Sequence, residues 1–248
     1  MLLLRFRMKM IFTVSIALLM LAAPFAVAQK PSSQKPNAKT GAAPSEPAPK
    51  SPASAAVDRD PAIVQIIKDV SPQRIQQTDE KLVSFGTRST LSVNNPGAAT
   101  SPQGIVAARN WIKSEFERIS SDCNGCLEVK TDTFIEQSKG PRDRIKEPTE
   151  IQNVYAILKG ADPAQAKRIY LVTGHYDSRN TDPQNSTDAA PGANDDGSGT
   201  TVSLECARVV SKHKFPATII FLTVAGEEQG LNGSTHFAKM AKEQGWQL

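Results

Sequence analysis

Cysteine and histidine are both scarce, with three of each in 248 residues. The only closely spaced cysteines are Cys123 and Cys126, in "SSDCNGCLEVK", and no second Cys-x-x-Cys accompanies them, which argues against a cysteine-built zinc site. The pair also lacks the strand-to-helix setting of a thioredoxin-like redox motif. It flanks Asn-Gly, a turn dipeptide, so the favoured expectation is a local disulfide stapling a turn ahead of the strand "LEVKTDTFI". Cys206 falls on an apolar helical face and reads as a buried core thiol.

Surplus positive charge is missing where a globular domain is expected. The formal net charge is +4, but Arg5, Arg7 and Lys9 precede the first apolar run, and Lys30, Lys35, Lys39 and Lys50 face only Glu46 in the following segment. Residues 58–248 are therefore close to neutral, with no basic patch to bind nucleic acid. Large apolar side chains are nearly absent from residues 29–57, a Pro, Ala, Ser and Lys-rich stretch that cannot bury enough surface to offset its ordering entropy. It reads as a disordered, semi-extended tether. No internal repeat is present.

The first 28 residues read as an export signal. A basic start leads into "MIFTVSIALLMLAAPFAVA", and the small residues Ala26 and Ala28 precede Gln29 at the expected cleavage point. A start at Met8 leaves an equally good signal. An uncleaved membrane anchor is the alternative that the length permits, while Pro24 and the "AVAQ" boundary favour cleavage. No cysteine follows that point to carry a lipid. The expected location is periplasmic or extracellular, with membrane contact only through a retained signal segment.

Residues 58–248 are long enough for one domain with a real core. "PQGIVAARNWIKSEFERI" places Ile105, Ala108, Trp111, Ile112, Phe116 and Ile119 on one helical stripe. "LEVKTDTFIEQ", "IQNVYAILKG" and "RIYLVTGHYDS" read as strands, and the "IYLV" of the third, apolar on both faces, as central and buried. A helix over about 199–213, the strand "ATIIFLTVA" and a helix over about 234–244 follow. "AIVQIIKDV" and "PQRIQQTDEKLVSF" read as helices packed outside the sheet. This order predicts an α/β fold, an α/β/α sandwich around a mixed sheet.

Three motifs sit where strands end, the place where ligand sites open in such sheets. In "TGHYDS" the extended spacing turns His175 and Asp177 to one side, so a carboxylate can hold one imidazole nitrogen while the other meets a metal. A histidine simply closing a strand end is the plainer alternative. In "PGANDDGSG" a Pro-Gly turn and two further glycines gather Asn194, Asp195 and Asp196 ahead of a helix. An acidic N-cap would need only one of these aspartates. In "AGEEQG" Glu227 and Glu228 are adjacent at the end of an apolar strand, where like charges repel and lose hydration. A metal ligand beside a general base explains the pair, because a bound dication offsets the desolvation of both.

"GHYDS", "PGANDDGSG" and "AGEEQGLNGS" resemble, in order and spacing, the two-zinc aminopeptidases of the bacterial leucyl-aminopeptidase type, a family that also includes glutaminyl cyclases and noncatalytic receptor ectodomains. The resemblance covers about residues 152–241. It implies a mostly parallel central sheet of the zinc-exopeptidase type and two Zn2+ ions per complete domain. By position, His175 is similar to a ligand of one zinc, Asp195 to the bridging carboxylate, Glu228 to a ligand of the second zinc, Glu227 to the general base and Asp177 to the carboxylate orienting the histidine. It also implies a cis peptide after Asp195, and peptides with a free N-terminus as substrates. The family needs a further Asp and a His beyond these motifs. The stretch after Glu228 contains no Asp and only His236, which lies in the last expected helix and reads as a surface or helix-face residue. His213 reads as a residue compensating the dipole of the preceding helix. The expectation is thus the N-terminal part of a zinc-peptidase domain, incomplete at its C-terminus, with an exposed sheet edge. A noncatalytic remnant or binding module, or a cyclising acyltransferase of the glutaminyl-cyclase type, are the competing readings.

Overall fold

A computed structural model of the protein describes residues 59–248. The signal and tether expected over residues 1–57 lie outside the described residues. No helix among the described residues is long and apolar enough to cross a membrane.

Two short helices come first, α1 (Pro61–Asp69) and α2 (Pro72–Val83). Each begins at a proline, whose missing N–H would be unsatisfied there anyway, and each is capped by the residue before it. Asp60 accepts from Ala62 N–H at 2.8 Å, and Ser71 Oγ accepts from Arg74 N–H at 3.3 Å. A 3-10 turn (Thr90–Asn94) leads to α3 (Gly104–Asp122). Ile105, Ala108, Ile112, Phe116 and Ile119 of α3 are buried, while Trp111 of the same stripe is only partly covered. The remaining elements are β1 (Leu127–Glu136), β2 (Thr149–Leu158), β3 (Ile169–His175), α4 (Ser198–Val210), β4 (Thr218–Val224) and α5 (Asn232–Glu243).

The sheet has the order β1-β2-β4-β3. Alternation along β2 and β4 feeds two cores. Val154, Ala156, Leu158 and Phe221 pack with Ile112 and Phe116 of α3 and Leu204 of α4. On the opposite face Tyr155, Ile157, Ile220, Leu222 and Val224 pack against Phe237 of α5. Helices therefore cover both faces, in the expected three layers. α1 and α2 lie outside, against α4.

Two expectations about the sheet are corrected. It is mixed, but β1–β2 and β2–β4 are antiparallel and only β3–β4 is parallel, so these four strands are not mostly parallel. No helix intervenes between β1 and β2, and a parallel pairing would need such a crossover. Nor is β3 central among the described strands: it stands at an edge of this four-stranded sheet, with Tyr170 and Leu171 exposed. Burial on both faces belongs instead to β2 and β4, which have neighbours on either side. A third correction concerns α4, which ends at Val210, so His213 lies past the helix and meets it through its backbone N–H bonded to Val210 O at 3.0 Å.

Cys123 and Cys126 are joined by a disulfide across the turn between α3 and β1. That turn also closes by itself: Gly125 N–H reaches Ser120 O at 2.8 Å, and Ser120 Oγ bonds both Leu127 O and Leu127 N–H. Cys206 is half-buried against the main core, and its burial pushes the thiol pKa up.

Candidate metal centre

Parallel pairing of β3 with β4 puts His175 beside Val224, so both strands deliver their C-terminal residues to one edge. The polar residues of the three motifs follow from there. Gly174, just before His175, is a packing requirement: a Cβ there would lie 2.3 Å from the backbone carbon of Gly199, at the start of α4. Bare backbone lets the strand end and the helix start touch.

The Ala193–Gly197 turn between β3 and α4 contains a cis peptide between Asp195 and Asp196. The two aspartates face different tasks. Asp195 is exposed, with Oδ1 3.1 Å from His175 Nε2. Asp196 turns inward, accepting His175 N–H at 2.9 Å and Gly199 N–H at 2.8 Å, so one carboxylate ties the strand end to the first turn of α4. Asp196 thus does what an acidic cap does and leaves Asp195 free.

On its other side the His175 ring is 3.1 Å from the carbonyl oxygen of Asp177 and 3.4 Å from its Oδ1, both measured from Nδ1. Asp177 is fully buried, and its carboxylate also reaches the glutamate loop. It accepts from the backbone N–H of Glu227 at 3.3 Å, from that of Glu228 at 3.2 Å and from Thr90 Oγ at 3.0 Å. One buried carboxylate therefore sets both the histidine and the Glu pair. Burial alone would lower the His175 pKa, but the hydrogen bond and charge of Asp177, with the charges of Asp196 and Glu227, outweigh it and hold the imidazole at about 9 in the absence of metal.

The two glutamates are separated in role. Glu227 Oε2 lies 3.8 Å from His175 Nε2, on the same side as Asp195. Its pKa is raised, first by desolvation and then by Asp177, Glu228 and Asp195, against the opposing charge of His175. Glu228 is buried, and its Oε2 accepts from Arg179 Nε at 2.6 Å. The structure thus gathers His175, Asp195 and Glu227 around one ring nitrogen, holds Asp177 behind them, and places the Glu228 carboxylate on Arg179.

Other residues belong to this assembly and carried no motif signal. Arg179 follows "HYDS" directly, while Arg88 and Thr90 lie in "FGTRST", far away in the chain. His236 has a place of its own: its ring stacks on Phe134 with centroids 3.9 Å apart, and Nδ1 is 3.0 Å from Asp132. None of its described contacts is with the motif residues, and it is a packed helix-to-strand contact rather than a free surface histidine.

Residues 153–247 match the model of peptidase family M28. This stretch is an M28 peptidase domain. Fungal relatives named probable zinc metalloproteases are similar over a wider span. One from Pyrenophora tritici-repentis is 45% identical over 184 residues, 74% of this chain and 36% of its own length. One from Pyricularia oryzae is 46% identical over 173 residues, 69% of this chain and 32% of its own. The chain thus spans about a third of the length of these relatives. Among solved structures, the LapA aminopeptidase of Legionella pneumophila is 28% identical with a TM-score of 0.50, covering 73% of this chain and 42% of that one. A glutaminyl cyclase of Fimbriiglobus ruber, 21% identical with a TM-score of 0.53 over 71% of this chain and 56% of that one, shares the fold.

The M28 assignment implies zinc, and the donor types fit. An imidazole nitrogen and a carboxylate oxygen converge at His175 and Asp195, and the other ring nitrogen is held by Asp177, the arrangement a zinc-bound histidine needs. Among the described residues no three His, Cys, Asp or Glu side chains close into a group able to enclose an ion.

Proposed function

We propose that the protein is an exported zinc aminopeptidase that removes N-terminal residues from peptides with a free amino terminus. The observation carrying this reading is the convergence of Asp195 Oδ1 and Glu227 Oε2 on His175 Nε2, at 3.1 and 3.8 Å. The similarity to an aminopeptidase and to probable zinc metalloproteases supports it.

Zinc, two ions per complete domain in this reading, would be held by His175, Asp195 and Glu228, and would supply a Lewis acid that polarises the scissile carbonyl and acidifies water. Asp177 keeps the His175 ring turned so that Nε2 faces Asp195. Glu227, half-buried and with a raised pKa, takes a proton from water and returns it to the leaving amine; a carboxylate whose pKa is shifted toward neutrality does both halves better. Glu228 must leave Arg179, or share its oxygens with it, to act as a ligand. The substrates are peptides, not nucleic acid. The location is periplasmic or extracellular, and the N-terminal segment, if retained, is the route to a membrane.

The test is release of N-terminal residues from unblocked peptides by the intact protein, with and without chelator, beside Glu227→Gln. Release that chelator abolishes and zinc restores, with at least a hundredfold loss in Glu227→Gln and none with amino-blocked peptides, is expected. Release that ignores chelator or the substitution would sink the proposal. Formation of pyroglutamate from N-terminal glutamine peptides would replace it with the cyclase reading.

A further inference from the structure

Arg88 is a fully buried cation, 1% exposed, on a segment that no motif marks. Its guanidinium touches no carboxylate directly. Instead it donates to four backbone carbonyls: Nε to Tyr176 O at 2.7 Å, Nη1 to Leu82 O at 3.0 Å and Pro191 O at 2.7 Å, and Nη2 to Gly192 O at 2.9 Å. Its backbone pairs with Ser178: Arg88 N–H donates to Ser178 Oγ and Arg88 O accepts Ser178 N–H, each at 3.2 Å. Ser178 Oγ in turn donates to Ala190 O at 2.7 Å.

Those carbonyls come from three separate stretches. Tyr176 follows His175, Pro191 and Gly192 open the turn that carries Asp195, and Leu82 lies in the last turn of α2. A buried charge is costly unless its donors are satisfied, and this one is satisfied only while all three stretches stay in place. Burial pushes the Arg88 pKa down, opposed by the charges of Asp177, Asp79 and Asp196. The turn has no slack: Gly192 has φ +45°, and a Cβ there would lie 2.6 Å from Asp195 O and 3.1 Å from Arg88 Nη2. Asp196 closes the same frame from the far side through His175 N–H.

We propose that Arg88 is a positioning residue that fixes the distance between His175 and Asp195 by clamping the end of β3 to the Pro191–Gly192 turn. This rests on the reading of those two residues as metal ligands. Lysine is not a substitute, because one ammonium cannot span carbonyls lying along the planar fork of a guanidinium. General support of the fold by a buried side chain is the competing explanation, and it predicts an effect spread over the whole domain.

The experiment compares the intact wild type with Arg88→Lys and the gentler Ser178→Ala. Amide hydrogen exchange is read on the metal-free proteins, and Co2+ uptake through its visible absorption. Expected for Arg88→Lys is exchange at least tenfold faster at Gly197, whose N–H bonds Gly192 O at 2.9 Å. Amides of α3 and the β1–β2 pair should be unchanged, with Co2+ affinity at least tenfold weaker and an altered spectrum. Ser178→Ala should shift the same two readouts, each by a smaller factor. Faster exchange throughout the domain, or wild-type Co2+ affinity and spectrum in Arg88→Lys, overturns the proposal. Should Arg88→Lys fail to fold, wild-type behaviour in Ser178→Ala overturns it. A wild type that takes up no Co2+ removes the ligand reading of His175 and Asp195, while the exchange rates still decide whether Arg88 holds the turn.

Discussion

Arg179 donates its Nε–H to Glu228 Oε2 at 2.6 Å, giving the more buried member of the glutamate pair a cation of its own. The two side chains are 35% and 11% exposed, between the surface and interior limits of ion-pair behaviour. In the metal-free protein Arg179→Ala should cost about 1–2 kcal/mol, because it strands a carboxylate with little access to water. Urea unfolding checks this, and a double-mutant cycle with Glu228→Gln isolates the pair. Equal losses from Arg179→Ala in the wild type and in the Glu228→Gln background would show that the contact contributes nothing.

His175 carries a pH dependence whose sign is fixed. Its folded pKa of about 9 lies above the ordinary histidine value of 6.5, so protonation favours the folded state. That stabilisation is fully present below about pH 6.5 and is lost as pH rises through about 9. Urea midpoints of metal-free wild type and His175→Gln, followed from pH 6 to 10, should converge as pH rises. A constant gap would mean that Asp177 and its neighbours do not hold the proton. Zinc should abolish this dependence, since the metal takes the place of the proton.

Gly174→Ala should destabilise the protein by about 2 kcal/mol or more, since the new Cβ would meet backbone at 2.3 Å and backbone cannot swing aside as a side chain can. Thermal unfolding and the helical signal of α4 report it. An unchanged melting temperature would mean that β3 and α4 are farther apart.

Phe116 lies at 0% exposure on the buried stripe of α3. Phe116→Ala should cost about 3–5 kcal/mol, the usual range for an aromatic removed from a packed core. A loss below about 1 kcal/mol in urea unfolding would contradict the packing of α3 on β2.

The Cys123–Cys126 disulfide closes a very short loop, and its turn has its own hydrogen bonds. Loop-closure entropy grows with loop length, so replacing both cysteines by serine should cost at most about 2 kcal/mol and leave the fold intact. Failure of the double variant to fold would show that the backbone bonds alone cannot hold the turn.

The order of elements was legible because such patterns are local: the α3 stripe and the apolar segments of β2 and β4 are each written within about fifteen residues. The placement of β3 was not. "IYLV" carries the composition of a central strand, but a strand gains neighbours only from segments elsewhere in the chain, and among the described strands β4 alone pairs with it, with Gln247 O meeting just its first N–H, at Ile169. The antiparallel majority was hidden for the same reason, since direction depends on how distant strands meet.

Within the site, the sequence by itself determined which residue types stand at strand ends and ahead of α4: His175, Asp177, Asp195, Glu227 and Glu228 were all visible as costly or unusual neighbours in their own motifs. Tertiary structure alone decided their relations. Asp177 reaches both the histidine and the backbone of the glutamates, Asp196 rather than Asp195 caps α4, and Glu228 faces Arg179. Arg88 left no trace in any pattern, because what it holds are carbonyl oxygens. Every residue offers a carbonyl, so side-chain identity cannot reveal which ones a buried guanidinium will find; only the folded path of the backbone brings them together.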